Sequence, residues 1–354
     1  MEKGECITFP FFSYERRGDV MLYSVFSKTA GLVGLLGLVI VLFFGSLAFG
    51  QTTIPFSTTW EAITRYDPAD TNHLIIGTSR LTRAVIALVI GMNLAIAGVF
   101  VQALTRNPLA APDLLGINSG AIFFIVLAIT WLEVSSLTQY MWFAFLGAGI
   151  AGAVVFFLGS IGRDGLTPIK VILSGVALSA LFTSFTQGLL VVDEQSIQTV
   201  LFWIAGSVAG RDMEMLVSVL PFLLGALIVS LFMGRAIGIF SSGDDVAKGL
   251  GQRTGIIKVL MGVLIIILAG GSVAVVGSVG FIGLIVPHMA KGLVGNDYRW
   301  MIPYSALLGA ALLLAADIVA RFIIFPQEVP IGVMTAFIGG PFFIYLARKG
   351  VAAK

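Results

Sequence analysis

The chain is predicted to be an all-α, polytopic membrane protein with ten transmembrane helices. Three observations carry that expectation. Of its 354 residues, 58% are hydrophobic and 11% charged, whereas a soluble domain carries roughly 25% charged residues. The apolar residues gather into runs of about the 20 residues that a spanning helix needs. The 42 glycines suit helices packed in lipid, where small residues let backbones approach closely.

Ten runs are read as spans: 30–50, 84–105, 115–132, 140–161, 169–192, 215–234, 256–276, 278–294, 302–322 and 331–347. Residues 1–28 are polar and without a helical period, and are expected to form a loosely ordered cytoplasmic tail ahead of a transmembrane domain at 29–350. Met21 offers an alternative start of translation. The first apolar run exceeds the 7–15 residues of a signal-peptide core, so an uncleaved helix is expected. Residues 51–79, with Pro55, Pro68 and Asp67-Pro-Ala-Asp70, form the longest stretch outside the membrane. A short break at 133–139 separates the third and fourth spans, and a tight turn at Gly277 separates the seventh and eighth. Within 193–214, residues 196–206 are read as a short helix at the membrane interface, with Trp203 as its anchor.

An even number of spans places both termini on one side. Two blocks of five, an odd number, make inverted halves, although no convincing similarity between the halves is visible in the sequence. With the termini in the cytoplasm, five of the 21 Lys and Arg (Arg65, Arg80, Arg83, Arg211 and Arg321) lie outside and the other sixteen inside, as the positive-inside rule demands.

Several function classes are excluded or disfavoured. No G-x-x-x-x-G-K-[ST] phosphate loop occurs, so the chain does not hydrolyse ATP itself and is not read as an enzyme. No Cys/His cluster has metal-ligand spacing, and no cofactor is expected. Cys6, the single cysteine, permits no intrachain disulfide. His73 reads as a solvated loop residue, and His288, after Pro287, as structural. Ion-coupled transporters usually carry charges within the membrane. Here Asp317 is the exception, and at i,i+4 from Arg321 it can pair locally, with or without a functional role. A pathway without an energy source points to an external motor.

Three groups of residues remain as site candidates. Arg80-Leu-Thr-Arg83 opens the second helix and Arg321 closes the ninth, all expected at the outer surface. Arginine holds a carboxylate by a fixed fork of donors, which suits docking of a partner; anchoring of helix ends at lipid headgroups is the other use. On the fifth helix Ser179, Thr183, Thr186 and Gln187 fall at i, i+4, i+7 and i+8, one polar stripe. It suits a water-filled passage, or else bonds to neighbouring helices and its own backbone. Between the sixth and seventh helices lies 241–255. Ser242 is placed to cap a short helix, with Asp244 and Asp245 at its positive end. Lys248 follows, Gly249 and Gly251 end the helix, and Val246, Ala247 and Leu250 give a small apolar face suited to a partner's groove.

Six runs in order resemble the FecCD family: Arg80-Leu-Thr-Arg83, Arg106-Asn-Pro-Leu-Ala-Ala-Pro-Asp-Leu-Leu-Gly-Ile-Asn-Ser-Gly120, Phe202-Trp-Ile-Ala-Gly-Ser207, Gly280-Phe-Ile-Gly-Leu-Ile-Val-Pro-His288, Ala316-Asp-Ile-Val-Ala-Arg321 and Glu328-Val-Pro-Ile-Gly-Val-Met-Thr-Ala-Phe-Ile-Gly-Gly-Pro341. Thr82 replaces the usual proline of the first run, and Lys291 is the basic residue after the Pro-His pair. The polar tail is longer than the family leads one to expect. The resemblance implies the permease subunit of a type II ABC importer in the bacterial cytoplasmic membrane. It implies a second permease, identical or homologous, a dimer of cytoplasmic ATPases seated on 241–255, and an extracytoplasmic substrate-binding protein whose acidic residues meet Arg80, Arg83 and Arg321. The implied cargo is a ferric siderophore, with haem or vitamin B12 as the family's other cargoes. A secondary transporter or channel is the competing class; the 241–255 segment and the nearly uncharged membrane core favour the importer.

Overall fold

In lipid a backbone has no water to bond, so an apolar run must satisfy its own N–H and C=O groups and forms helix. The computed structural model describes residues 21–22, 24–132, 134–162, 165–192 and 196–352; most of the expected tail, Cys6 included, lies outside the described residues. The helices are α1 (Val25–Ala48), α2 (Phe56–Thr64), α3 (Thr71–Leu74), α4 (Leu81–Thr105), α5 (Ile117–Leu132), α6 (Leu137–Ser160), α7 (Pro168–Val192), α8 (Ser196–Ala205), α9 (Met213–Phe232), α10 (Gly234–Ser241), α11 (Asp244–Gly249), α12 (Thr254–Val276), α13 (Ile282–Val294), α14 (Tyr298–Ala320) and α15 (Ile331–Ala352). A π-helical turn, Ile75–Arg80, joins α3 to α4, and a 3₁₀ turn, Pro112–Leu115, precedes α5. Among the described residues seven helical rods are long and apolar enough to span a membrane: α1, Thr71–Thr105, α6, α7, α9, α12 and α14. Three shorter apolar helices, α5, α13 and the Ile331–Leu346 part of α15, complete the expected ten.

Local signals set the ends. Ser24 and Ser27 form a capping box at α1, with amide-to-hydroxyl bonds of 3.0 and 3.1 Å. Just before it, the amides of Met21 and Leu22 donate to the carbonyls of Gly292 and Leu293 on the last turns of α13. The turn after α12 begins at Gly277 (φ 78°) and closes at Phe281, which sits in the left-handed region (φ 68°) and caps α13. The turn expected at Gly277 therefore does separate two helices.

α4 lies at the centre, packed on α14, α12 and α13. Its tightest contact is with α14. A methyl group on Gly91 would lie 2.3 Å from the Gly309 carbonyl, and one on Gly309 2.2 Å from that of Gly91. The backbones touch, and only glycine fits. The inverted halves are legible in the packing: α4 on α14 has its counterpart in α12 on α6, α5 on α6 in α13 on α14, and α4 on α13 in α12 on α5. The α4–α12 contact maps onto itself and marks the axis.

Alternate helix ends gather as ten spans require. The end of α1, the start of the α3–α4 rod and the end of α14 share hydrogen bonds at one side. The start of α1 meets the start of α14 at the other, where the Tyr304 hydroxyl donates to the Lys28 carbonyl at 2.5 Å. Two expectations need correction. The stretch 51–79 is largely helical, because α2 and α3 cover much of it and α3 runs on into α4. The helical rod that carries the second span thus begins at Thr71, 13 residues before the predicted boundary at 84. The short helix at 196–205 exists, but Trp203 is 1% exposed, covered by the Arg211 guanidinium 4.3 Å above its ring. It is a packed core residue, not an interfacial anchor.

Candidate functional site

At the outer end the three predicted arginines do converge, but they are not exposed. Arg80 and Arg321 are 4% and 2% exposed. The last four carbonyls of a helix lack intrahelical partners, and these arginines supply them at the end of α1. Arg80 donates to the carbonyls of Leu47 (2.8 Å), Ala48 (2.7 Å) and Thr52. Arg321 donates to Ser46 and Phe49 carbonyls, both at 2.7 Å, and to the Ser46 hydroxyl. Asp317, fully buried, accepts from Arg321 one turn on and from Arg83 at 2.7 Å. Arg83 Nη1 also donates to both Glu328 carboxylate oxygens, at 2.7 and 2.8 Å. The expected local pair of Asp317 and Arg321 is thus one edge of a larger network that ties α1, α4, α14 and the Glu328 loop together. Three guanidinium groups face two carboxylates, which leaves one positive charge. Arg80, Arg83, Arg321 and Glu328 line a polar pit of about 130 Å³.

The stripe on α7 divides. Thr183 and Gln187 are exposed and Ser179 partly so, on a helix that is only sparsely covered. Thr186 is buried and its hydroxyl bonds back to the Phe182 carbonyl at 2.8 Å. Ser179 lies by Gly116, at the start of α5.

Next to that stretch lies a feature the sequence reading missed. Residues 107–116 do not form a surface loop. Ala110, Ala111 and Leu115 are buried, and Pro112 packs on Gly283, which itself touches Gly98 of α4. Gly98 precedes Arg106 by eight residues, so at 1.5 Å per residue the segment climbs about 12 Å back into the bundle. It carries Asp113, part-buried, whose carboxylate accepts from the Asn118 amide at 2.7 Å; Asn118 also reaches the Ser278 hydroxyl at 3.2 Å. Asp317 is therefore not the sole carboxylate placed deep in the protein. The available signal was polarity: 109–117 holds a single charge among apolar residues, unusual for a solvated loop.

At the inner end α11 forms where predicted. Its N-cap is Gly243 (φ 118°) rather than Ser242, whose hydroxyl turns back toward the Gly238 carbonyl. Val246 and Leu250 are 52% and 68% exposed, and Asp245, Lys248, Gly249 and Gly251 are exposed with them. Ala247 is fully buried, so it faces the protein and not a partner. Asp244 turns inward as well, accepting from Arg106 at 2.8 Å and Lys258 at 2.7 Å. Burial pushes its carboxyl up, but the hydrogen bond and charge of Lys258, with Arg106 and Lys248, outweigh that and hold it below the ordinary carboxylate range. His73 also departs from expectation. It is buried, its Nδ1 accepts from the Asp67 amide at 3.0 Å, and its ring stacks on Tyr66. His288 is half-buried and its ring meets that of Phe342 edge-on. Among the described residues no group of His, Cys, Asp and Glu has metal-binding geometry.

The family model for the FecCD transport family matches residues 38–349. The chain belongs to the FecCD family. Its relatives include YfiZ of Bacillus subtilis (strain 168), a permease protein assigned to a siderophore transport system, 48% identical over 324 residues, or 92% of this chain and 97% of that one. The ferric enterobactin transport system permease FepD of Escherichia coli (strain K12) is 39% identical, over 91% and 96% of the two chains. A solved metal-chelate type ABC transporter in an inward-facing conformation matches with a TM-score of 0.78 at 30% identity, covering 91% of this chain and 99% of that one. This FecCD chain is accordingly a multi-pass permease subunit of an ABC importer, and ATP hydrolysis belongs to a separate subunit.

Proposed function

We propose that this FecCD chain carries a ferric siderophore inward across the bacterial cytoplasmic membrane, with a second permease, a pair of ATPases and an extracytoplasmic binding protein. The observation that carries the cargo is the naming of its relatives: siderophore transport for YfiZ and ferric enterobactin for FepD. The hemin permease HmuU of Yersinia pestis, 35% identical, keeps haem as the second reading. The sites fit this division of labour. Val246 and Leu250 offer an apolar pair to the ATPase at the inner end. Ser179, Thr183 and Gln187 offer a polar wall to the cargo. At the outer end the arginine pit has one uncompensated positive charge, so it takes a single carboxylate of the binding protein rather than three bidentate partners.

The test is uptake by proteoliposomes holding permease, ATPase and binding protein. ATP-dependent uptake of an ⁵⁵Fe-labelled siderophore is expected; uptake of haem or vitamin B12 alone refutes the cargo, and uptake without the ATPase refutes the importer. Glu328→Gln tests the pit without burying a lone charge, since Glu328 is 25% exposed. It frees Arg83 and should tighten capture of the binding protein a few-fold at low salt, as an exposed pair of about 0–1 kcal/mol allows. Unchanged or weaker capture removes the docking role.

A further inference from the structure

We infer that Asp244 is a strut that carries the movement of α11 into α4, α7 and α12. The inference rests on the reading of α11 as the seat of the ATPase, and it concerns the opposite side of that helix. Val246 and Leu250 face solvent, while the carboxylate beside them faces the bundle. One oxygen accepts from Arg106 and the other from Lys258. Both cations also lie over the Phe240 ring, at 5.3 and 5.8 Å. Arg106 occupies the left-handed turn (φ 50°) at which α4 ends and the re-entrant segment begins. Lys258 sits in the second turn of α12 and donates a second bond, at 3.3 Å, to the Leu166 carbonyl in the entry to α7. A cavity of about 110 Å³ beside the strut is lined by Asp244, Lys258, Thr167, Pro168 and Val171, so the foot of α7 borders it directly.

Charge at a helix N-terminus explains none of this. Asp245 has the same position relative to the helix dipole and is exposed, whereas Asp244 is held by cations 138 and 14 residues away in sequence. Two short charge-assisted bonds to one carboxylate form a stiff link. A push on the apolar pair therefore reaches three membrane elements through a single side chain. Asp244 is a positioning residue; it touches neither cargo nor nucleotide.

The test uses the whole complex of permease and ATPase, in a Cys6→Ser, Thr183→Cys parent. A small polar maleimide reports the exposure of α7 with and without ATP and vanadate, so no cargo is needed. In the parent the labelling rate is expected to change at least threefold with nucleotide. Arg106→Gln and Lys258→Gln cut the strut from the membrane side. Each should abolish that change while the ATPase still co-purifies and hydrolyses ATP. Asp244→Asn should do the same, Asp244→Glu should restore part of the response, and Asp244→Asn with Lys258→Gln should be no worse than either alone, because both remove one link. Arg235→Gln, an exposed charge at the same end but outside 241–255, should be silent. A full nucleotide response in Lys258→Gln and Arg106→Gln overturns the strut. So does loss of ATPase binding in those two variants, which would make them assembly mutants. A parent with no nucleotide response, or ATPase capture that survives Val246→Asp with Leu250→Asp, overturns instead the reading of α11 on which the strut depends.

Discussion

Replacing Asp317 by Asn leaves three guanidiniums with Glu328 as their one carboxylate, and Arg321 with no acidic hydrogen-bond partner among the described residues. Asp317 is fully buried and accepts one hydrogen bond from Arg83 and another from Arg321. A hydrogen bond to a charged group contributes about 1.5–3 kcal/mol, so the two together suggest a loss of about 3–6 kcal/mol. The cost of stripping one partner from a buried ion pair, about 3–5 kcal/mol, agrees. Native proteins hold only about 5–15 kcal/mol in all, so the variant should express poorly and unfold early. Equilibrium unfolding in mixed micelles measures it. The double-mutant cycle with Arg83→Met separates the pair from its surroundings, and a coupling of about 0.5–3 kcal/mol is expected. A loss below about 1 kcal/mol for Asp317→Asn would refute the claim that this carboxylate holds the rim together.

Other perturbations test other parts of the fold. Gly91→Ala sets a methyl group against the Gly309 carbonyl, and since neither backbone can yield, a loss of about 1–3 kcal/mol is expected in the same unfolding assay. Cysteines at Thr183 and Gln187 should react with a polar maleimide in the assembled complex, whereas Thr186→Cys, buried and turned to its own helix, should not; labelling of Thr186→Cys alone would reverse the assignment of the pathway face. For Asp244 the sign follows from its depressed folded-state pKa: the strut's contribution is present above the unfolded value of about 3.9 and fades only as pH falls below it. The nucleotide response of α7 should therefore be flat from about pH 5 to pH 8, and a loss near neutrality would point to a different titrating group.

The spans were legible because lipid imposes one rule on every helix, and run length with Lys and Arg placement reports it. What escaped were polar groups whose partners lie far away in sequence. Arg83 meets Glu328 across 245 positions, so the sequence shows an arginine at a helix end and says nothing of its burial. The same holds for Asp113, where a connection only about ten residues long reads as a surface loop unless its apolar composition is weighed. Thr186 was counted with Thr183 because stripes are drawn on an ideal helix, but three positions on, its side chain is buried and bonded to the Phe182 carbonyl of its own helix. Val246 and Leu250 were found as apolar residues of a short exposed helix; Ala247 was grouped with them because it is apolar too, but it lies on the side of the helix that the bundle covers.

The fastening of α1 differs in kind from that of α4. Few of the residues of α1 are covered by the rest of the protein, and in a bilayer apolar contact gives little reason to stay, since lipid tails are as apolar as leucine. What holds its outer end is the set of carbonyls at Ser46, Leu47, Ala48 and Phe49 bonded by guanidiniums from α4 and α14. Those groups need no headgroup water, so that end of α1 can sit below the membrane surface at little cost. The helix is therefore free of the usual match between its length and bilayer thickness. A thicker or thinner membrane should tilt α1 about its outer anchor and leave the arginine–carboxylate network undisturbed.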